Sequence, residues 1–277
     1  MPFTLPVGDR PANEVHVQVD LFAAVAGQLD ITPSGVVTVS SEQSWSDAQG
    51  FTGLDGATFA ASGTSFTPLT PLNGWTSAGS GFASPAASSI NGIVHLRGAI
   101  AASSPTGEPF ILPAAFRPNH TVYVPVGLCN ANSGRLVIYS TGVVDVAAEG
   151  GTTSNADCRT SLDGALFAKS ASNFTPLTLQ NGWHNYANGT VNAAVRKISG
   201  IVHLEGAIAT PGSNQLVAFT LPVGFRPAHN VYVSVDLNGA NKGHMLIDSN
   251  GQVTVFAEGS QSNATSFTSL DGVSFAP

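Results

Sequence analysis

The chain has 277 residues and a net charge of −7, with charged side chains making up only 10% of it against 43% hydrophobic residues and 30 glycines. Lys169, Lys197 and Lys242 are its only lysines, so no basic face exists to neutralise phosphates, and nucleic acid and anionic membrane surfaces are excluded as expected partners. No apolar run reaches the ~18–20 residues of a membrane span, so no membrane insertion is expected, and Met1 to Pro6 shows no basic-then-apolar pattern of a conventional signal peptide.

Taken in order, the chain opens on Phe3-Thr4-Leu5-Pro6-Val7-Gly8-Asp9-Arg10-Pro11 and runs into the alternating Val15-His16-Val17-Gln18-Val19. Alternation of β-branched residues predicts a strand with its valines on one side. Leu29-Asp30-Ile31, the turn Ser34-Gly35 and Val37-Thr38-Val39 follow as a hairpin, because glycine supplies the positive φ such a turn needs. Ala23-Ala24-Val25-Ala26 is too short for a helix, and no helix of useful length is expected anywhere. The segment closes on Leu54-Asp55-Gly56, another turn before a short strand.

Next comes a different set: Phe66-Thr67-Pro68-Leu69, Asn73-Gly74-Trp75, and Gly92-Ile93-Val94-His95-Leu96-Arg97-Gly98-Ala99-Ile100. The opening frame then returns at Phe110, with Arg117-Pro118, Val122-Tyr123-Val124-Pro125-Val126, Leu136-Val137-Ile138, Thr141-Gly142 and Leu162-Asp163-Gly164. Pro125 cannot donate to a ladder and marks an edge or bulged strand. The other set recurs as Phe174-Thr175-Pro176-Leu177, Asn181-Gly182-Trp183 and Gly200 to Ile208, and the frame is written a third time from Phe219 to Phe275.

The repeat is about 108 residues long, which implies tandem domains and not a short solenoid. Each unit has a first half (the Asn-Gly-Trp set) and a second half (the Pro-Val-Gly frame). The units run 62–168 and 169–277, and residues 1–61 are an orphan second half, expected to expose an apolar face and sheet edges. Short strands separated by Gly, Asn and Ser turns predict an all-β fold: tandem antiparallel β-sandwich repeats, jelly-roll-like.

Arg10, Arg117 and Arg226 are the one basic residue kept in all three second halves, and beside proline they read as guanidinium caps on loop carbonyls. Asp55, Asp163 and Asp271 invite a catalytic reading, but beside glycine they read as turn aspartates. Cys129 and Cys158 are both confined to the middle copy, which suggests neighbouring positions and a disulfide closing a loop worth on the order of 3 kcal/mol. Two lone cysteines lack zinc spacing, and Asp236 to Asn241 fits no calcium loop, so neither a metal nor a cofactor is expected. His95 and His203 fall on strand faces, no nucleophile elbow or phosphate loop is present, and no pair of carboxylates repeats as a glycosidase dyad would. The chain is therefore expected not to be an enzyme.

Binding has more support. Trp75 and Trp183 sit in the repeated Asn-Gly-Trp, and His184, Asn185 and Tyr186 follow the second, so rings and amides cluster where a sugar could stack and hydrogen bond. Burial under the end of a sandwich is the competing reading of both tryptophans. Trp45 has no counterpart in the other copies and reads as an exposed loop aromatic.

The order Asn181-Gly182-Trp183, Gly200 to Ile208, Phe219 to Pro227, Asn250-Gly251-Gln252-Val253-Thr254-Val255 and Ser269 to Phe275 resembles the C-terminal receptor-binding (head) modules of bacteriophage tail fibres and baseplate adhesins. The resemblance covers residues 62–277 and, by its second half, 3–61. It implies a β-sandwich head in a virion tail or another extracellular setting, attaching to bacterial cell-surface polysaccharide or another glycan. It implies a homotrimer, although three homologous units in one polypeptide could instead imitate one, or form a lectin of the same module. A structural fibre spacer without ligand is the alternative, and a polysaccharide hydrolase is third.

Overall fold

In the computed structural model, which describes residues 2–61, 65–79, 81–212 and 217–277, the protein is an antiparallel all-β assembly with three very short α-helices. Each second half is a four-stranded sheet of one design. With residues 1–61 as unit 1, 62–168 as unit 2 and 169–277 as unit 3, the order in unit 1 is Phe3–Thr4, Val36–Ser41, Ala26–Ile31, Val15–Asp20; in unit 2 it is Phe110–Ile111, Val143–Ala148, Ser133–Ile138, Val122–Gly127; in unit 3 it is Phe219–Thr220, Gln252–Ala257, Lys242–Ile247, Val231–Asp236. The register repeats with the order: Phe3 faces Val37, Phe110 faces Val144 and Phe219 faces Val253. Val122, Val124 and Val126 are buried while Tyr123 and Pro125 are less so, as the alternation requires. Pro125 is accommodated because its strand is at the edge of its sheet.

The first halves of units 2 and 3 add two further sheets each. In unit 2, Thr67–Pro68, Ala86–Ile90 and Ile93–Arg97 form a sheet completed by Leu166–Ala168, which comes from the second half. A second sheet holds Trp75–Ser77, Ala99–Ala102 and Thr160–Ser161. Unit 3 repeats this with Ser274–Phe275 pairing Ile201–Glu205, and Thr268–Ser269 pairing Ala207–Ala209. Each complete unit has its own core between these layers, with Trp75, Phe110, Leu162 and Phe167 in one and Trp183, Phe219, Leu270 and Phe275 in the other.

The three second halves close into a ring. Their inner strands Val15–Asp20, Val122–Gly127 and Val231–Asp236 touch one another in all three pairings. Equivalent residues of all three (Val17, Val124, Val233; Gln18, Pro125, Ser234; Gly56, Gly164, Gly272) surround a cavity of only about 30 Å³ on the resulting pseudo-threefold axis. One chain thus builds internally what a trimer builds from three.

Each seam is closed by the turn that follows the helix. The Ser161 hydroxyl donates to the His16 carbonyl across the unit 1–2 seam (2.6 Å), and the Ser269 hydroxyl donates to the Tyr123 carbonyl across the 2–3 seam (2.6 Å). Gly53 holds the equivalent place at the 3–1 seam, where a Cβ would lie 3.4 Å from the Tyr232 carbonyl in ordinary contact. Gly53→Ser is therefore expected to supply the missing bond. With lower unfolded-chain entropy as well, it should raise stability by about 1–2 kcal/mol in urea titrations. An unchanged midpoint would show that the third seam does not follow the rule of the other two.

Arg10, Arg117 and Arg226 donate through Nε to the carbonyls of Leu5, Leu112 and Leu221 at 3.0, 2.8 and 2.8 Å. They cap the loop that starts each sheet, as their place beside proline leads one to expect.

The helices were not expected: α1 (Trp45–Gly50), α2 (Ser154–Cys158) and α3 (Gln261–Ser266) stand at one place in each copy. One and a half turns carry no full hydrophobic period, and the legible signal is the cap alone. Ser44 and Asp47 form a capping box on α1, and Ser260 caps α3. Cys158 at the end of α2 is disulfide-bonded to Cys129, with Cα atoms 6.0 Å apart.

Candidate functional site

A groove of about 530 Å³ runs along unit 2 between α2 and the first half. Its floor is Val137, Val146, Ala147 and Ala156, from the sheet and the helix. The wall is the edge of Trp75 with Pro105, Gly107 and Pro109, and the carboxylates of Glu108, Asp145 and Asp157 stand around it. Asn-Gly-Trp builds that wall for a local reason. Asn73 and Gly74 both take positive φ (52° and 86°), so the chain reverses and drives the indole inward. Asn73 then donates from Nδ2 to the Glu108 carbonyl (3.0 Å) and carboxylate (3.1 Å), and Trp75 Nε1 donates to the Gly107 carbonyl (3.0 Å). Asp145 accepts from the Tyr139 hydroxyl (3.1 Å), while burial and that bond push the Tyr139 phenol up. An apolar floor rimmed by acceptors suits a ligand with one apolar face and many hydroxyl donors.

The residues singled out from sequence are dispersed. Trp75 and Trp183 are 7% and 5% exposed and belong to the cores of units 2 and 3, so only the rim of Trp75 reaches a groove. Tyr186 packs edge-on against Phe267 (ring centroids 4.9 Å apart), and Phe267 in turn meets Tyr123 (4.9 Å), so Tyr186 seals the 2–3 seam. Asn185 accepts from the Ala193 backbone N–H (2.8 Å). His184 alone of that stretch has an exposed ring free of core or seam packing. Trp45, 56% exposed, lines a separate apolar depression of about 440 Å³ on unit 1.

Asp163 and Asp271 do more than make turns. Each accepts the N–H of a glycine in its own first half, Gly98 at 3.0 Å and Gly206 at 3.1 Å, and so ties the two halves together. Burial pushes Asp163 up to about 7 and Asp271 to about 8, against the pull of those bonds.

One cluster escaped sequence reasoning. Glu42, Glu149 and Glu258 follow the last strand of each second-half sheet and converge where the three units meet, with one oxygen of each within 4.8 Å of the others. This is a triple assembled across the seams, one glutamate from each unit, and not the repeating pair within a unit that a glycosidase dyad would need. Glu258 accepts from the Ala26 N–H (2.9 Å) and from Gln43 Nε2 (2.6 Å), and Glu149 from the Lys242 N–H (3.4 Å). Burial first, and then mutual repulsion, holds Glu42 up at about 8 and Glu149 at about 7, and burial raises Glu258 too. Such carboxyls share protons around neutral pH. Beside them the fully buried Lys242 ammonium binds Asp20 and the carbonyls of Ala24 (2.6 Å) and Val25 (2.8 Å).

No known protein family, characterised protein or solved structure matches this chain. No helix among the described residues is long and apolar enough to cross a membrane.

Proposed function

We propose that this protein is a non-enzymatic adhesin that binds a cell-surface glycan, a one-chain counterpart of the threefold head of a tail fibre. The observation that carries the reading is the unit 2 groove, where an apolar floor and the Trp75 edge lie under three carboxylates. A pyranose ring presents an apolar face and a rim of hydroxyl donors, and that is the complement of this groove. The pseudo-threefold ring supports the fibre-head part, since it reproduces within one polypeptide the symmetry such heads take from three chains. The Cys129–Cys158 bond suits an extracellular position, where disulfides persist.

An array of bacterial envelope polysaccharides tests the reading. The wild-type chain should bind a subset, and Asp157→Ala combined with Glu108→Gln, which keeps an acceptor for Asn73, should weaken that binding at least tenfold with no change in melting temperature. Binding to none of them favours a spacer, and release of reducing ends would show a hydrolase.

A further inference from the structure

Unit 1 carries the face that units 2 and 3 use to hold their first halves, and among the described residues no first half is seated on it. Phe110 and Phe219 are fully buried, whereas Phe3 is 37% exposed. Leu162 and Leu270 are fully buried, whereas Leu54 is 50% exposed. In units 2 and 3 the Leu162 and Leu270 N–H groups donate to the carbonyls of Gly98 and Gly206 (2.8 Å each), and the Ala165 and Val273 carbonyls accept from Leu96 (2.9 Å) and Leu204 (3.1 Å). The corresponding groups of Leu54 and Ala57 make no such bond among the described residues. Among the described residues Asp55 likewise accepts no glycine N–H, although Asp163 and Asp271 both do. A depression of about 440 Å³ is lined by Pro2, Phe3, Val39, Trp45, Ala48, Thr52 and Leu54, and the counterparts of Val39 and Ala48 in unit 2, Val146 and Ala156, lie beside Trp75.

We propose that unit 1 is a receptor for a first-half polypeptide supplied from outside residues 1–277. Its occupant is a segment of the kind seen at 65–109, with an Asn-Gly-Trp strand and a Val-His-Leu-x-Gly-Ala-Ile hairpin. The donated tryptophan fills the depression, the glycine N–H reaches Asp55, and the hairpin bonds to Leu54 and Ala57 as a complementing strand. The occupant is identified by continuity: the same interface exists twice in the molecule, with the same second-half positions on one side. A second copy of this chain fits less well. Its own first halves are already seated on units 2 and 3. This receptor face is separate from the groove of unit 2 and does not depend on its ligand.

The test adds a polypeptide of residues 65–109 of this sequence to the full chain. Saturable one-to-one binding by calorimetry is expected, with a higher melting temperature for the complex. Leu54→Asp in the full chain should abolish binding, Asp55→Ala should weaken it about tenfold, and a Trp75→Ala probe should fail to bind; Leu54 and Asp55 are exposed, so these chains should fold normally. If the free probe is insoluble, the same residues fused ahead of Pro2 should protect the Leu54 amide from hydrogen exchange. Absence of binding and of protection, or binding that Leu54→Asp leaves intact, would overturn the proposal. So would a dimer of the unmodified chain that Leu54→Asp dissociates, because the second copy would then be the occupant.

Discussion

Replacing Lys242 with methionine is expected to cost about 3–5 kcal/mol of stability, the largest effect of any single substitution outside the hydrophobic cores. The ammonium is fully buried, donates to Asp20 and to the carbonyls of Ala24 and Val25, and lies across the seam between units 3 and 1. Burial alone drives the Lys242 pKa down, and Asp20 with Glu258 and Glu149 opposes that, so the charge is held by neighbours that need it. Methionine matches the length of the stem but leaves Asp20 buried with only the His244 ring beside it (3.0 Å) and the Ala24 carbonyl without a donor, while the Val25 carbonyl keeps the Leu21 N–H (3.1 Å). Denaturant unfolding of Lys242→Met should show the loss, and Asp20→Asn added to it should recover at least half. A cost under about 1 kcal/mol would mean that the ammonium reaches water and that this seam is held by packing alone.

Each seam carries different chemistry on the same frame, and that difference fixes the order of the units. Asp236 of unit 3 meets Arg135 of unit 2 at 3.3 Å, Asp20 of unit 1 meets Lys242 of unit 3, and Gly127 stands where a third aspartate would be. There, Arg159 of unit 2 instead approaches Gln28 of unit 1 at 3.3 Å, and Gln18 donates to the Ser133 hydroxyl at 3.0 Å. The rings at the next level follow suit. Tyr123 faces Phe267 and Tyr232 faces Phe51, both edge-on at about 5 Å, while His16 packs against Phe82. A unit moved to a neighbour's place would leave a buried charge unpaired, which costs more than a loss of shape. Three chains of one sequence cannot carry three different seams, and a single chain can.

How much of this was legible in the sequence depends on the range over which each residue acts. Alternating valines, positive-φ glycines and the Arg-Pro caps work within a few residues, and they gave the second-half sheet in all three copies. Asn-Gly-Trp was read as a loop aromatic or a buried one, and the positive φ of Asn73 and Gly74 sends the ring inward. The helices were missed because five or six residues hold no period. His16 stands where the other copies have Tyr123 and Tyr232, and each of the three rings meets a partner across its own seam. Glu42, Glu149 and Glu258 recur with the repeat, but their chemistry exists only once three units are brought around one axis.

That axis sets the pH response. Glu42 sits near 4.5 in an unfolded chain and at about 8 in the folded one, so the folded state binds its proton more tightly. The stabilising contribution is complete below about pH 4.5 and is lost as the pH rises through 8, with Glu149, held at about 7, acting in the same direction. His120 and His203, driven by burial down to about 4, act oppositely: their contribution is present above pH 6.5 and fades as the pH falls through 4. Stability should therefore peak in mildly acidic solution and decline on both sides. Glu42→Gln isolates the share of the alkaline limb that belongs to Glu42, the buried Asp163 and Asp271 adding to the rest, because it replaces a carboxyl that must ionise against Glu258 and Glu149 with a neutral group of the same shape. At pH 8.5 the variant should be more stable than the parent by roughly 1–2 kcal/mol, the shift being discounted for the partial solvent access of this side chain. At pH 5 the two should agree, and the histidine limb should be the same in both. Urea titrations across that range decide the matter: a variant no more stable than the parent at pH 8.5 would mean that the three glutamates ionise freely at the centre of the ring.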